Sequence, residues 1–341
     1  MLKTRNNPTS ARIGNRAAWS AALLLSVCGA PPIDLDSKES ALTSFTTFDV
    51  PGSVSTSPQS ISPDGTITGS YYDGTTLHGF VRDKRGNINT FDPPGSSYTR
   101  PTSINPAGVI TGQSDLHGFV RRPDGAFTTF DPPQPCFTLP TSINPAGTIT
   151  GWYQCQDEGQ HGFVRSSDGT FTTFDPPGSQ WTADTSINPA GTITGRYSDG
   201  TTVHGFVRSS HGAFTTFDPP GSRAIWSPSI NPDGTITGHY YDGIASRGFV
   251  RRPDGAFTTF YFPGFQDTAP TSINPAGTIT GYRLDGSFRT HGFVRNNNGN
   301  ITPFDVPGSL STWPTSINPA GTITGSYDDE TATHGFVRYP R

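Results

Sequence analysis

The chain has 341 residues, of which 31% are hydrophobic, with 40 glycines, 32 prolines and a net charge of -4. A mildly acidic chain offers no basic field to nucleic acid or to anionic lipid, so neither is expected as a partner. The low apolar fraction would alone suggest disorder, but aromatic and β-branched residues return at fixed intervals, and that regularity points to a packed repeat.

Residues Met1 to Arg16 carry Lys3, Arg5, Arg12 and Arg16 and no acid, and an apolar run from Ala17 to Val27 follows, interrupted only by serine. This pattern reads as a signal peptide over residues 1–29. The run falls short of the about 20 apolar residues that cross a bilayer, so no membrane span is expected. Cys28 opens an alternative, lipoprotein anchoring, although Val27 stands where a lipobox usually has a small residue. Cleavage would leave Cys136 and Cys155, an even pair that reads as a disulfide in an exported chain. Residues 30–43 read as a linker. A secreted or periplasmic location follows from these features.

From Ser44 onward the sequence repeats. The tripeptide HGF begins at His78, His117, His161, His204, His291 and His334, and Arg247 takes the same slot in one copy. A period of about 43 residues is the signature of a repeat architecture. Within the copy from Thr185 to Gly221 four strands are expected. The first is short and centred on Ser186 to Asn188. The turn NPAG leads to the second, Thr192 to Tyr197. An Asp-Gly loop leads to the third, His204 to Arg208, and a tight turn to the fourth, Ala213 to Asp218. DPPG ends the copy, since proline cannot continue a ladder.

Four short antiparallel strands per copy, seven times over, describe a seven-bladed β-propeller spanning residues 44–341. The last copy ends after its HGFVR strand, His334 to Arg338, and the lacking fourth strand stands at the other end as SFTTFDVPG, Ser44 to Gly52. The N-terminal strand is therefore expected to complete the last blade. The turns between strands one and two and between three and four lie on one face, and nearly all variation between copies falls on the other.

INPAGTITG followed by HGF resembles the signature of the HAF-repeat family of predicted extracellular repeat proteins, over Ser44 to Arg341. The resemblance implies a repeat fold and no particular activity, cofactor or catalytic set. Glycine stands throughout where that family has the middle alanine, which reads as a packing variation.

Five histidines of the HGF slot precede an aspartate by fourteen residues, as in His204 and Asp218, and the sixth, His334, is expected to face Asp49. One copy changes both positions together, to Arg247 and Tyr261. Six equivalent pairs suit a structural cross-strand contact better than one reaction centre.

A functional site is expected where the repeat breaks. Aromatic residues appear in the loops leading into successive blades: Tyr98, Phe137, Trp181, Trp226, Phe265 and Trp313. The slot after the TITG glycine varies as Ser70, Gln113, Trp152, Arg196, His239, Tyr282 and Ser326. With the charged residues Arg100, Asp184 and Asp267, these form a candidate ligand site. There arginine would hold a carboxylate, histidine or tyrosine would move a proton, and tryptophan would stack on a ring. The leading expectation is an exported binding or scaffold propeller recognising a carbohydrate or other cell-surface ligand through Trp152, Tyr98, Phe137, Trp181, Trp226, Trp313, Arg100 and Asp184. The alternative is a lyase or hydrolase of an acidic saccharide or related polymer, with His239, Tyr282 and Arg196 as the catalytic set. A purely structural surface module is a third reading. No zinc spacing or phosphate loop is present, and the Asp-Gly loops offer one acid each apart from Asp157 with Glu158 and Asp328, Asp329 with Glu330, so they read as turns and no metal and no cofactor are expected. The oligomeric state is open.

Overall fold

A computed structural model describes residues 44–132, 136–156 and 158–340. The expected signal peptide, the linker, Cys28 and the acidic Asp157 lie outside the described residues.

Every described element is a strand. β1 (Ser44–Phe48) is followed by unit 1, comprising β2 (Ser55–Ile61), β3 (Ile67–Tyr72), β4 (Leu77–Arg82) and β5 (Ile88–Phe91). Unit 2 is β6 (Thr99–Ile104), β7 (Ile110–Ser114), β8 (His117–Arg121) and β9 (Phe127–Phe130). Unit 3 is β10 (Phe137–Ile143), β11 (Ile149–Gln154), β12 (Gln160–Arg165) and β13 (Phe171–Phe174). Unit 4 is β14 (Trp181–Ile187), β15 (Ile193–Ser198), β16 (Val203–Arg208) and β17 (Phe214–Phe217). Unit 5 is β18 (Ala224–Ile230), β19 (Ile236–Tyr241), β20 (Ser246–Arg251) and β21 (Phe257–Phe260). Unit 6 is β22 (Asp267–Ile273), β23 (Ile279–Leu284), β24 (Thr290–Arg295) and β25 (Ile301–Phe304). Unit 7 is β26 (Ser311–Ile317), β27 (Ile323–Asp328) and β28 (Thr333–Tyr339).

The expected seven-bladed β-propeller, with each blade a separate sheet and the last completed by the N-terminal strand, needs correction. Hydrogen bonding sorts the strands into five discrete sheets, three of four strands and two of eight, and none closes on itself into a barrel. Units 7 and 1 share a sheet through the parallel bridge Ser55↔Thr333, and units 5 and 6 share one through Ser246↔Asp267. The path runs from β28 into β2, so β28 is not an end that β1 terminates. β1 lies off that path and pairs with β28 alone, from Ser44↔Tyr339 to Phe48↔Gly335. The physical reason is where the strands begin: each bridge joins the first residue of one unit's first strand to the first residue of the preceding unit's third strand, and Ser246 also donates its N–H to the Asp267 carboxylate.

The first strands are also longer than expected. β14 starts at Trp181 rather than near Ser186. The alternation of side chains continues through WTADTS, and a bulge absorbs the extra residues. First strands of successive units lie side by side, and β26 lies beside β2.

Each unit buries a phenylalanine, Phe80, Phe119, Phe163, Phe206, Phe249, Phe293 or Phe336, with no exposure. The fourth-strand phenylalanine of one unit packs edge-on against the third-strand phenylalanine of the next, as Phe174 does against Phe206. The HGF arginine then covers it. The Arg208 guanidinium lies 5.0 Å from the Phe174 ring, and Arg82 lies 4.8 Å from Phe48 of β1. Burial lowers the pKa of Arg208, but a guanidinium keeps its charge and gains from the aromatic face. The HGF glycine is explained by the same layer. A Cβ on Gly205 would meet the Phe217 ring at 2.4 Å, and one on Gly335 would meet Phe48 at 2.7 Å.

Cys136 and Cys155 form a disulfide with Cα atoms 4.4 Å apart, which pins the chain before β10 to the loop after β11.

Two outcomes follow. Deleting residues 44–49 bares the edge of β28, removes Phe48 from beneath Arg82 and takes Asp49 from His334. The melting temperature is expected to fall by many degrees, and an unchanged melting curve would refute the role given to β1. Replacing Cys136 and Cys155 by serine opens a crosslink across a separation of 19 residues. The expected loss is about 3 kcal/mol by chemical denaturation.

Candidate functional site

The repeated histidines serve the scaffold. Nδ1 of His78, His117, His161, His204, His291 and His334 lies 2.6 to 2.9 Å from Asp92, Asp131, Asp175, Asp218, Asp305 and Asp49. In four units Nε2 meets a second carboxylate, Asp73, Asp199, Asp285 or Asp329, at 3.2 to 3.3 Å. These second acids belong to loops that looked like plain turns in the sequence. They do act as turn residues, since Asp199 accepts the N–H groups of Thr201 and Thr202. Desolvation lowers the pKa of His78, His204 and His334, but the paired aspartates outweigh it and hold these imidazoles above their ordinary value. In unit 5 the Arg247 guanidinium pairs with Asp242 and covers the Tyr261 ring at 4.5 Å. That contact explains why both positions change together.

The slot after the TITG glycine gives a different picture. In every unit it pairs across to the first strand: Ser57↔Ser70, Arg100↔Gln113, Leu139↔Trp152, Ala183↔Arg196, Trp226↔His239, Ala269↔Tyr282 and Trp313↔Ser326. Phe137, Trp181, Trp226 and Trp313 are thus strand residues rather than the loop residues expected, because the first strands begin early. Tyr98 immediately precedes β6.

Three consecutive units carry polar chemistry in this slot. In unit 4 the Asp184 carboxylate lies 2.5 Å from Nε of Arg196, and that guanidinium sits 5.2 Å from the Trp181 ring. In unit 5 the Trp226 and His239 rings stack at 5.6 Å, and Nδ1 of His239 is buried without a hydrogen-bond partner. In unit 6 stands Tyr282, and Asp267 opens its first strand. Burial lowers the His239 pKa to about 4, with Arg196 adding to the effect and Asp267 and Asp184 opposing it. Burial, and then the charge of Asp267, raises the Tyr282 pKa. At neutral pH the His239 imidazole is therefore neutral and the Tyr282 phenol protonated.

Other expected site residues stand apart. Phe137 and Trp152 stack on each other at 5.2 Å in unit 3, beside the disulfide. Arg100 and Tyr98 belong to unit 2 and Trp313 to unit 7. Phe265 lies under the Arg283 guanidinium at 4.0 Å and edge-on to His291, as packing. Among the described residues no helix is long and apolar enough to cross a membrane, and no group of three His, Cys, Asp or Glu side chains is placed to hold a metal ion.

Ser227 is a residue that sequence reasoning passed over. It is exposed and follows Trp226 with φ of 49°, while Asp184 has φ of 51°. The available signal was the displacement by one place, to Pro228, of a proline that stands at this position in five of the other six units.

No family model matches the chain, and no curated protein does. Among solved structures, a streptogramin B lyase matches with a TM-score of 0.60 at 15% identity, over 87% of this chain and 98% of that one. A catalytically inactive histidine-to-alanine variant of virginiamycin B lyase from Staphylococcus aureus, with quinupristin, matches with a TM-score of 0.62 at 14% identity, over 86% and 99%. Puromycin hydrolase matches at 0.63 and 13% identity, over 85% of this chain and 54% of that one. At such identities the likeness shows the fold. Its company is nonetheless lyases and a hydrolase, which corrects the leading expectation of a non-catalytic carbohydrate-binding scaffold.

The His239 environment has a signed consequence for stability. An ordinary histidine takes up a proton near pH 6.5, whereas the folded chain delays this to about pH 4. Between those values the unfolded chain binds the extra proton, so His239 withdraws stability as the pH falls, on the order of 3 kcal/mol. His78, His204 and His334 have the opposite sign: their contribution is full below pH 6.5 and lost as the pH rises through their raised pKa. Replacing His239 by glutamine is therefore expected to flatten the fall in unfolding free energy between pH 6.5 and pH 4. An unchanged slope would contradict the burial of a neutral imidazole.

Proposed function

We propose that the chain is an enzyme of the lyase or hydrolase class, acting where units 4, 5 and 6 present Arg196, His239 and Tyr282. The observation that carries this reading is the His239 imidazole. It is held neutral, stacked under Trp226, and leaves a buried nitrogen without a partner, in a slot that the scaffold fills with six other arrangements. A scaffold histidine here has a built-in alternative, the double aspartate clamp, and this one lacks it.

The substrate class is an acidic saccharide or a related acidic polymer. In the lyase direction, neutral His239 takes the proton from the carbon next to a carboxylate, and the terminal nitrogens of Arg196 face the charge that develops on that carboxylate. The electron pair of the broken C–H bond forms a C=C bond. The bond to the leaving oxygen breaks, and Tyr282, kept protonated by burial, supplies the proton that the oxygen needs. Trp181 and Trp226 provide ring faces. Hydrolysis would use the same imidazole on a water molecule, and the product tells the two apart, since only the lyase leaves an unsaturated end. Asp184 occupies the Nε edge of Arg196, so one anionic group at most is accommodated there. The fold likeness to lyases supports this reading, and the disulfide suits export to an oxidising compartment, secreted or periplasmic.

The test is turnover of polyuronates by the full chain. Substituting glutamine for His239 is expected to lower the rate by about 10²–10⁴-fold, and phenylalanine for Tyr282 by a similar factor, each with an unchanged melting temperature. Substituting alanine for His204 is expected to lower stability and leave the rate per folded molecule intact. Full activity without His239 would end the proposal.

A further inference from the structure

We propose that Asp184 and Ser227 form a wall of this site that grips hydroxyl groups of the substrate, an assignment that rests on the catalytic reading and deepens it. Five first strands carry proline at one slot, Pro58, Pro101, Pro140, Pro270 and Pro314, and all five are buried. In units 4 and 5 the slot holds Asp184 and Ser227, half-buried and exposed respectively, both at positive φ. Proline fixes φ near about −65° and forbids this turn. Aspartate and serine permit it as strained backbone.

The two backbones are rerouted, not merely substituted. Pairing skips two residues in these units, from Ala183 to Ser186 and from Trp226 to Ser229, where Pro58 is followed in the ladder by Ser60. The first strand stands off its neighbour. A Cβ on Gly195 would lie 3.0 Å from the Ala183 carbonyl oxygen and one on Gly238 2.9 Å from that of Trp226, against 2.1 to 2.3 Å in the other five units. Bonds between units shift too. Thr102, Thr271 and Thr315 donate to the carbonyls of Pro140, Pro314 and Pro58, while Thr141 reaches the Thr185 carbonyl past the turned Asp184.

These two departures are adjacent and sit next to Ala183 and Trp226, the partners of Arg196 and His239. Strain kept in neighbouring units of a seven-fold repeat, at the position where polar side chains replace buried prolines, marks the surface the substrate meets. The ligand chemistry follows from the groups. Asp184 already neutralises Arg196 along one edge, so the wall rewards no second anion. A carboxylate acceptor and a serine hydroxyl suit neutral donors, the hydroxyls of a polyhydroxylated ring.

The experiment uses the full chain with His239→Gln, so that polymer is bound and not consumed, and titrates polygalacturonate by calorimetry. Asp184→Pro is added alone, Ser227→Pro is added with Pro228→Thr so that both restore the PTSI of units 2, 3, 6 and 7, and Ser227→Gly keeps the positive φ while deleting the hydroxyl. Each proline is expected to return its strand to the backbone of the other five units, weakening binding by about tenfold or more at an equal or higher melting temperature, and glycine to weaken it by about threefold to tenfold. Proline variants that bind as tightly as their parent, or that lose stability along with binding, overturn the wall. Unchanged affinity with Ser227→Gly overturns the serine contact. No binding by the parent overturns the hydroxylated ligand class. If the parent binds, the prolines abolish binding, and the unsubstituted chain forms no product, the catalytic reading fails and this one stands.

Discussion

One amide in each of units 2 to 7 ties a local turn to the neighbouring unit, and the rest of the structure depends on it. Asn188 accepts the Thr192 N–H through Oδ1 and donates through Nδ2 to the Asn231 carbonyl. The same donation runs from Asn105 to Asn144, Asn144 to Asn188, Asn231 to Asn274, Asn274 to Asn318, and Asn318 back to Ser62. These asparagines are buried, so each unmade bond would leave a desolvated polar group, at a cost of about 1–3 kcal/mol. A turn of the right shape is thereby a condition for joining the next unit.

The outer layer repeats this logic with different chemistry. Each HGF glycine makes room for a phenylalanine ring, that ring meets the phenylalanine of the next unit, and an arginine closes over it. Arg338 covers Phe304 of unit 6, and Arg82 of unit 1 covers Phe48 of β1, a strand that pairs with β28 alone and lies off the main ladder path. The histidine clamps sit above, on the variable face, where solvent screens them and their net worth per pair is small. A scaffold so redundant tolerates local departures, and units 4 and 5 use that tolerance.

The candidate site lies where redundancy is relaxed. His239, Arg196 and Tyr282 were legible because a slot that varies in every copy cannot be required by the scaffold. Asp184 and Asp267 stood out as charges in the same stretch. What pairing added was their grouping. Arg196 is engaged by Asp184, His239 is covered by Trp226, and Phe137 turns to Trp152 instead of joining them. Ser227 stayed unread because one small polar residue among many carries no signal until its backbone angle is known.

The repeat period, the four strands of each unit, the turns at NPAG and PDG, and the Cys136–Cys155 pair could be read from sequence because each rests on short-range stereochemistry or on a count. Proline and glycine punctuate the chain wherever they occur, and alternation marks a half-buried strand. The joining of strands into five sheets, the early start of β14 and its companions, the second aspartate on four of the clamped histidines and the depressed pKa of His239 were decided by the tertiary structure alone. Each depends on the distance between segments remote in the chain, and on how much water is left between them, quantities that no local pattern of residues encodes.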